Sequence, residues 1–204
     1  MQTSNEHEKR IWAKDALCIG IDEAGRGPIA GPLVVAGVVF PKDYDSKEIY
    51  DSKKLSEKKR EELFVRIKED ALYYDIQIVS IEEIDRLNIY QATKQTMHKI
   101  ATNANVDYVL TDAMPLDMAK EVNSLVKGDT LSCSIAADSI LAKVTRDHIM
   151  YELDEKYPEY GLKKHKGYPT KAHLEALRTY GVLDIHRKSY GPVAQMMQMS
   201  LDLE

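Results

Sequence analysis

Ile19-Gly20-Ile21-Asp22-Glu23-Ala24-Gly25-Arg26-Gly27-Pro28 is the stretch on which the reading of the fold turns. The apolar run Leu17–Ile21 reads as a buried strand, and it ends on two adjacent carboxylates. A Gly-Arg-Gly turn follows, then a second apolar run, Leu33–Phe40. Carboxylates at the tip of a core strand are costly to desolvate unless they meet cations, which points to a metal site. Arg26 is flanked by glycines that let backbone approach a ligand closely, which points to a ligand carrying phosphates. The same residues also read as a charged strand end followed by a hairpin turn. Ten residues alone do not separate the two.

Working outward, Ser56 is the expected N-cap of a helix running to Asp70, with Leu63, Phe64 and Ile67 on its apolar face. Leu72–Val79 alternates as a third strand, and a helical region from Ile81 to Asn103 is expected to break near Asn88. Val106–Leu110 is a short buried strand ending at Thr111-Asp112, and Leu125–Asp129 reads as another strand that delivers a carboxylate. Ala136–Glu155 is helical, with Ile140, Leu141, Val144, Ile149 and Leu153 facing the core. Thr170 caps a helix that Gly181 stops, and a last helix runs from Pro192 to Met199. Strands joined by short turns, then strands alternating with helices, predict an α/β domain with a mixed sheet.

Asp22, Glu23, Asp112 and Asp129 share one property: each sits where an apolar run stops. Four converging carboxylates would not stay ionised without divalent cations between them. Oxygen-only ligands favour Mg²⁺ or Mn²⁺, and two such ions about 4 Å apart clamp a phosphodiester, activating water on one side and stabilising the leaving oxygen on the other. A single Asp after a strand is more often a turn residue; the joint pattern carries the inference. Gly25-Arg26-Gly27-Pro28-Ile29-Ala30 formally matches a dinucleotide-binding fingerprint, but that fingerprint must open a helix. Here a β-rich run follows two prolines, so a Rossmann site is rejected.

The 204 residues fit one domain with a small helical appendage, and 44% hydrophobic residues suffice for a sizeable core. No apolar run approaches the ~20 residues of a membrane span. The acidic N-terminus lacks the apolar centre of a signal peptide, so a cytoplasmic protein is expected. Cys18 and Cys133 lie in apolar surroundings and are read as reduced core thiols. A net charge of −5 argues against a nucleic-acid partner, but its distribution does not. Lys163, Lys164, Lys166, Lys171, Arg178, Arg187 and Lys188 face only Glu175 and Asp184 within residues 163–188. This basic stripe fits a grip on a phosphate backbone and equally fits a solvated helix face.

Six separated motifs then match one family in its own order. Asp22–Pro28, Asp51-Ser52-Lys53-Lys54-Leu55, Val126-Lys127-Gly128-Asp129, Ala142–Asp147, His165–Thr170 and Ile185–Pro192 closely resemble bacterial ribonuclease HII. The resemblance implies a ribonuclease H-like fold, a mixed sheet flanked by helices. It also implies a single catalytic domain over residues 1–204, with a core at about 17–155 and a basic C-terminal helical extension at about 156–204. It implies endonucleolytic hydrolysis of RNA in RNA/DNA hybrids and of DNA containing single ribonucleotides. The cut falls on the 5′ side of the ribonucleotide and leaves 3′-hydroxyl and 5′-phosphate ends. Carried over by motif, the catalytic and metal-binding carboxylates are Asp22, Glu23, Asp112 and Asp129, holding two Mn²⁺ or Mg²⁺ ions.

By the same resemblance, Gly25, Arg26 and Gly27 approach the 2′-hydroxyl, and Tyr168 stacks on the following sugar. Lys53, Lys54, Lys143 and Arg146 are candidates for phosphate contacts, with a solvated role standing beside each. The arginine in the turn resembles ribonuclease HII rather than HIII, whose extra N-terminal domain finds no room before the first strand. The Met197-Gln198-Met199 tail does not resemble a sliding-clamp motif; no obligatory protein partner is expected, and a monomer is expected. Asp138 departs from the small residue expected in its motif; of a fifth carboxylate near the metals and a solvent-facing charge at a helix start, the second is preferred. No histidine is needed as a base, so His165, His173 and His186 are expected on the basic C-terminal surface. Asp22 and Glu23 serve one site only if the strand ends or bulges there, or if one ligates through its backbone. Two rivals share much of the pattern: another nuclease of the same superfold, and a non-catalytic hybrid-binding module.

Overall fold

The computed structural model describes residue 3 and residues 5–201; residues 1, 2, 4 and 202–204, the last of them closing the expected extension, lie outside the described residues. In chain order the elements begin with α1 (Glu6–Trp12), β1 (Cys18–Ala24), β2 (Leu33–Val39), α2 (Glu57–Asp70), β3 (Tyr73–Val79), α3 (Ile81–Leu87) and α4 (Ile89–Asn103). They continue with β4 (Tyr108–Asp112), β5 (Glu121–Leu125), α5 (Gly128–Leu131), α6 (Cys133–Lys156), α7 (Leu162–His165), α8 (Lys171–Tyr180) and α9 (Gly191–Leu201). The chain divides into two compact units. One comprises Met1–Ala24, Val34–Gln77 and Thr93–Val144, the other Gly25–Leu33, Ile78–Ala92 and Thr145–Glu204.

The first unit is built on a mixed five-stranded sheet in the order β3-β2-β1-β4-β5. β1 pairs antiparallel with β2 and parallel with β4, and β4 pairs parallel with β5. β2 is buried along its whole length, as expected for a strand covered on both faces. Gly20 explains how closely a helix lies on β1: a Cβ there would stand 2.5 Å from the backbone carbon of Ser134 and 2.6 Å from Asp138 Oδ2. The first turn of α6 is capped from α1. Glu8 Oε1 accepts from the Ser132 hydroxyl (2.5 Å) and the Ser134 N–H (3.0 Å). The carboxylate thereby satisfies an orphan donor at the positive end of a long helix.

Local signals place most boundaries. Ser56 Oγ accepts from the Lys59 N–H (3.2 Å), Ser80 Oγ from Glu83 (3.1 Å) and Thr170 Oγ1 from His173 (3.3 Å). Asn88, at φ 67°, separates α3 from α4, and Gly181 follows α8 at φ 86°. One boundary departs from expectation. The strand expected at Leu125–Asp129 ends as β5 at Leu125, because Lys127 is left-handed (φ 61°) and turns the chain into the short helix α5.

The second unit packs Ile29, Ala30, Met150, Tyr160, Leu162, Leu177, Ile185 and Val193 into one core. Its segment 25–33 is held by backbone bonds, Ile29 N–H to Gly167 O, Gly31 N–H to Ile185 O and Arg187 N–H to Ile29 O, each 2.8 Å.

Candidate active site

In the parallel β1/β4 pair Ile21 stands opposite Thr111, so Asp22 and Asp112 follow at the same level of adjacent strands. Residues level with each other in parallel strands share a pleat and point to one face. Asp112 Oδ1 accepts the Gly128 N–H at 2.8 Å, which ties the end of β4 to the turn that carries Asp129. Asp22 is only 6% exposed. Burial, then Glu23, Asp112 and Asp129, pushes its carboxyl well above the usual carboxylate range. Asp129 is raised as well, first by burial and then by Asp112 and Asp51, against the opposing pull of Lys53. Lys53 Nζ lies 3.6 Å from Asp129 Oδ2. Burial alone would lower the Lys53 ammonium, but Asp129, Asp22 and Asp51 reverse this and hold it above the ordinary lysine value.

Glu23 belongs to the same cluster in sequence but leaves the strand differently. The register runs without a bulge through Asp22–Ala36, Glu23–Val35 and Ala24–Val34, so the strand neither ends nor bulges at the pair. Neighbouring side chains therefore diverge, and the Glu23 N–H donates to Asp22 Oδ1 at 2.7 Å. Among the described residues no group of three or more His, Cys, Asp or Glu closes around a point that would hold an ion. The donor set nonetheless fits a hard divalent cation in kind: carboxylate oxygens only, crowded enough that like-charge repulsion and burial disfavour ionisation.

The Gly25–Gly27 turn belongs to the second unit. Gly25 takes φ 104°, and a Cβ on it would meet Arg146 Nε at 2.3 Å, so only glycine fits. Gly27 is exposed beside Tyr168, whose Cε1 would lie 3.1 Å from an added Cβ. The turn and the tyrosine, predicted from separate motifs, are thus neighbours, and Tyr168 is 48% exposed. The Arg26 carbonyl accepts from the Tyr190 hydroxyl (2.7 Å) and Arg187 Nη1 (3.3 Å), while its side chain is exposed. Lys54 lies 3.6 Å from Asp51, and Lys143 is half-buried on α6.

Three expectations are corrected. Arg146 is not presented to a phosphate: it is 2% exposed and its three nitrogens donate to the carbonyls of Pro32 (3.0 Å), Lys166 (2.9 Å) and Ala30 (3.0 Å). Burial, then Arg187 nearby, lowers its pKa to about 10. Asp138 does not face solvent at a helix start: α6 begins at Cys133 rather than Ala136, and Asp138 lies on the face packed against Gly20, at 0% exposure. Neither of its oxygens has a hydrogen-bond partner among the described residues, and burial, then Asp22 and Glu8, raises its carboxyl far above the ordinary range. His173 and His186 are fully buried rather than on a basic surface. Sequence reasoning also missed Glu8, since no local pattern announces that a carboxylate will cap a helix 124 residues away. It missed Arg187 and Tyr190 as supports of the turn, although both stand in the Ile185–Pro192 motif.

The sequence model of the family described as Ribonuclease HII matches residues 19–193, a span that holds all four carboxylates, the Gly25–Gly27 turn and Tyr168. A ribonuclease HII of Geobacillus sp. (strain WCH70) is 49% identical over 201 residues, spanning 97% of this chain and 73% of the relative. One from Bacillus cereus (strain G9842) is 53% identical over 197 residues, 95% of this chain and 77% of the relative. The crystal structure of ribonuclease H2 from Pyrococcus horikoshii OT3 superposes with a TM-score of 0.74 at 25% identity, covering 90% of this chain and 98% of that one.

Proposed function

The chain belongs to the ribonuclease HII family, endonucleases that hydrolyse the RNA strand of RNA/DNA hybrids, and from that premise we propose that it also cuts on the 5′ side of single ribonucleotides embedded in duplex DNA. Water adds to the phosphorus, the P–O3′ bond breaks, and the products carry a 3′-hydroxyl and a 5′-phosphate. Asp22, Asp112 and Asp129, with Glu23 joining through its main-chain carbonyl because its side chain leaves the strand on the other face, would hold a pair of divalent ions, Mg²⁺ or Mn²⁺. Such ions, when bound, supply activation of the attacking water and neutralise charge on the leaving oxygen. The observation that carries this reading is the crowding at Asp22, a buried carboxyl whose ionisation its acidic neighbours oppose. A site of that kind awaits positive charge, and a phosphodiester does not supply it.

On this reading the chain's own groups divide the work. Gly25, Arg26 and Gly27 approach the 2′-hydroxyl, and the neighbouring Tyr168 stacks on the sugar that follows it, so both sides of the junction are read. Lys53 and Lys54 hold phosphates as point charges and add no sequence preference. Lys143 contributes likewise. The substrate is a duplex, and the working form is a monomer.

The test is a labelled DNA duplex with one ribonucleotide, incubated with Mg²⁺ or Mn²⁺ beside an all-DNA duplex and an Asp112→Asn variant. A single cut 5′ of the ribonucleotide, with cleavage at least about 10²-fold slower in the variant, is the expected result. Binding of the duplex without cutting would replace this reading with that of a hybrid-binding module, and cutting of the all-DNA duplex would remove the role given to the 2′-hydroxyl.

A further inference from the structure

Three imidazoles lie directly behind the loop that presents Tyr168, and their hydrogen bonds fix which nitrogen of each ring carries the proton. His186 Nδ1 faces both polar groups of Leu183, the N–H at 3.0 Å and the carbonyl at 3.3 Å, so the order is read from the other end. There His173 Nδ1 lies 2.9 Å from the carbonyl of Tyr168, which can only accept, so Nδ1 carries the hydrogen and Nε2 of the neutral ring accepts. His186 Nε2, 3.2 Å from His173 Nε2, must then donate, which leaves His186 Nδ1 to accept the Leu183 N–H. The order of donation is Leu183 N–H to His186 to His173 to Tyr168 C=O, fixed by the carbonyl at its end. Both rings are fully buried; burial first, and then a neighbouring histidine, lowers each to about 4, so the order persists at neutral pH.

The third ring completes the support. His165 stacks on His173 (centroids 4.3 Å, planes at 18°), and its Nδ1 accepts the Gly167 N–H at 3.2 Å. Every backbone polar group from Lys166 to Tyr168 is thereby engaged. The Lys166 N–H donates to Leu162 O (2.7 Å), and its carbonyl accepts from Arg146. The Gly167 carbonyl accepts from Ile29, the Tyr168 N–H donates to His165 O (2.9 Å), and the Tyr168 carbonyl also accepts the Thr170 N–H (2.8 Å). A half-exposed ring thus stands on a peptide with no freedom to tilt. We propose that His186 and His173 are positioning residues which, through this ordered chain, hold the Tyr168 ring for the ribonucleotide–DNA junction and so set the preference for a single embedded ribonucleotide over a continuous hybrid. The proposal rests on the junction-stacking role of Tyr168 under the proposed function.

Two measurements test it, one of them without turnover. Long-range ¹H–¹⁵N spectra of the wild-type protein at about pH 7 should show His173 as the Nδ1–H tautomer and His186 as the Nε2–H tautomer. Separately, kcat/KM on an embedded ribonucleotide and on a long hybrid is compared for wild type, Tyr168→Ala, His186→Phe, His186→Gln and the Tyr168→Ala/His186→Phe pair. His186→Phe keeps a flat ring but ends the chain of donation; it should lower the embedded-to-hybrid ratio roughly tenfold, and should lower it no further once Tyr168 is alanine. His186→Gln, which keeps an N–H at the position of Nε2, should recover most of the ratio. Equal losses on both substrates, or a fall in the ratio that adds to that of Tyr168→Ala, overturn the positioning role. A His173 ring protonated on Nε2 overturns the chain alone. An unchanged ratio in Tyr168→Ala with both tautomers as assigned overturns the junction reading beneath it.

Discussion

Burying Asp138 with neither oxygen bonded costs the fold stability, because its carboxyl gives up water without recovering a partner. Helix-dipole logic alone put this residue in solvent; α6 starts three residues earlier, at Cys133, so Asp138 lies beyond its first turn, on the face packed against Gly20 of β1. Asp138→Ala should therefore stabilise the protein by about 1–3 kcal/mol, read as a higher unfolding temperature without divalent ions. The gain depends on pH in a defined direction. A carboxyl whose pKa is raised on folding favours the folded state below its unfolded value, near about 4, and that contribution disappears as pH climbs through the raised value. The stability gap between Asp138→Ala and wild type should thus widen as pH rises above about 4. A gap that narrows over that range would mean the carboxyl is better satisfied as an anion, with a cationic or hydrogen-bonding partner in place of the desolvation cost.

Elements announced by short-range chemistry were legible: the capped helices α2 and α8, the break at Asn88, the apolar β1 and β2, and the parallel strand ending at Asp112 all followed from caps, periodicity and turn residues. Asp22 and Asp112 stand on strands β1 and β4 for the same reason, whereas Asp129 lies in α5, beyond the left-handed Lys127. What escaped the sequence were partnerships over long separations. Whether a basic residue serves a ligand or the chain depends on carbonyls elsewhere, and Arg146 serves carbonyls 114 and 116 residues away. The left-handed Lys127, which ends β5 early, is equally silent, since lysine carries no preference for that conformation. Two predictions belong to this scale. Gly20→Ala should destabilise by about 1–3 kcal/mol in urea unfolding, since the added carbon meets helix backbone at 2.5 Å rather than a side-chain end that can move. Arg146→Met should cost more, about 3–5 kcal/mol, because three carbonyls lose their donor at once. At a temperature where the variant stays folded, its duplex binding should keep the wild-type dependence on salt. A slope shallower by about one counterion would restore Arg146 to the phosphate contacts.

Across the whole molecule, an excess of acidic residues must be reconciled with a polyanionic substrate, and the distribution of charge decides how. The stripe at residues 163–188 is weaker than its sequence count, because Arg187 is fully buried and serves the Gly25–Pro32 segment. Lys188 is divided between Asp184, 3.4 Å from its Nζ, and a backbone bond to Asp85. Lys166 lies over the Tyr151 ring at 3.9 Å. Lys163, whose Nζ also reaches over the Tyr151 ring at 5.6 Å, and Lys164 are exposed on α7, close in sequence to the Tyr168 loop. If they grip the backbone of the duplex, each neutralised phosphate should release its counterion and contribute about −0.9 to the slope of log K against log salt. Binding measured with the inactive Asp112→Asn protein, so that substrate is not consumed, should then show a slope shallower by about two in the Lys163→Gln/Lys164→Gln variant. The loss should be the same for hybrid and embedded-ribonucleotide duplexes, because phosphate contacts position without specifying. Lys188→Gln should leave the slope unchanged. An unchanged slope in the double variant would make the stripe a solvated helix face and move the electrostatic grip to Lys53, Lys54 and Lys143.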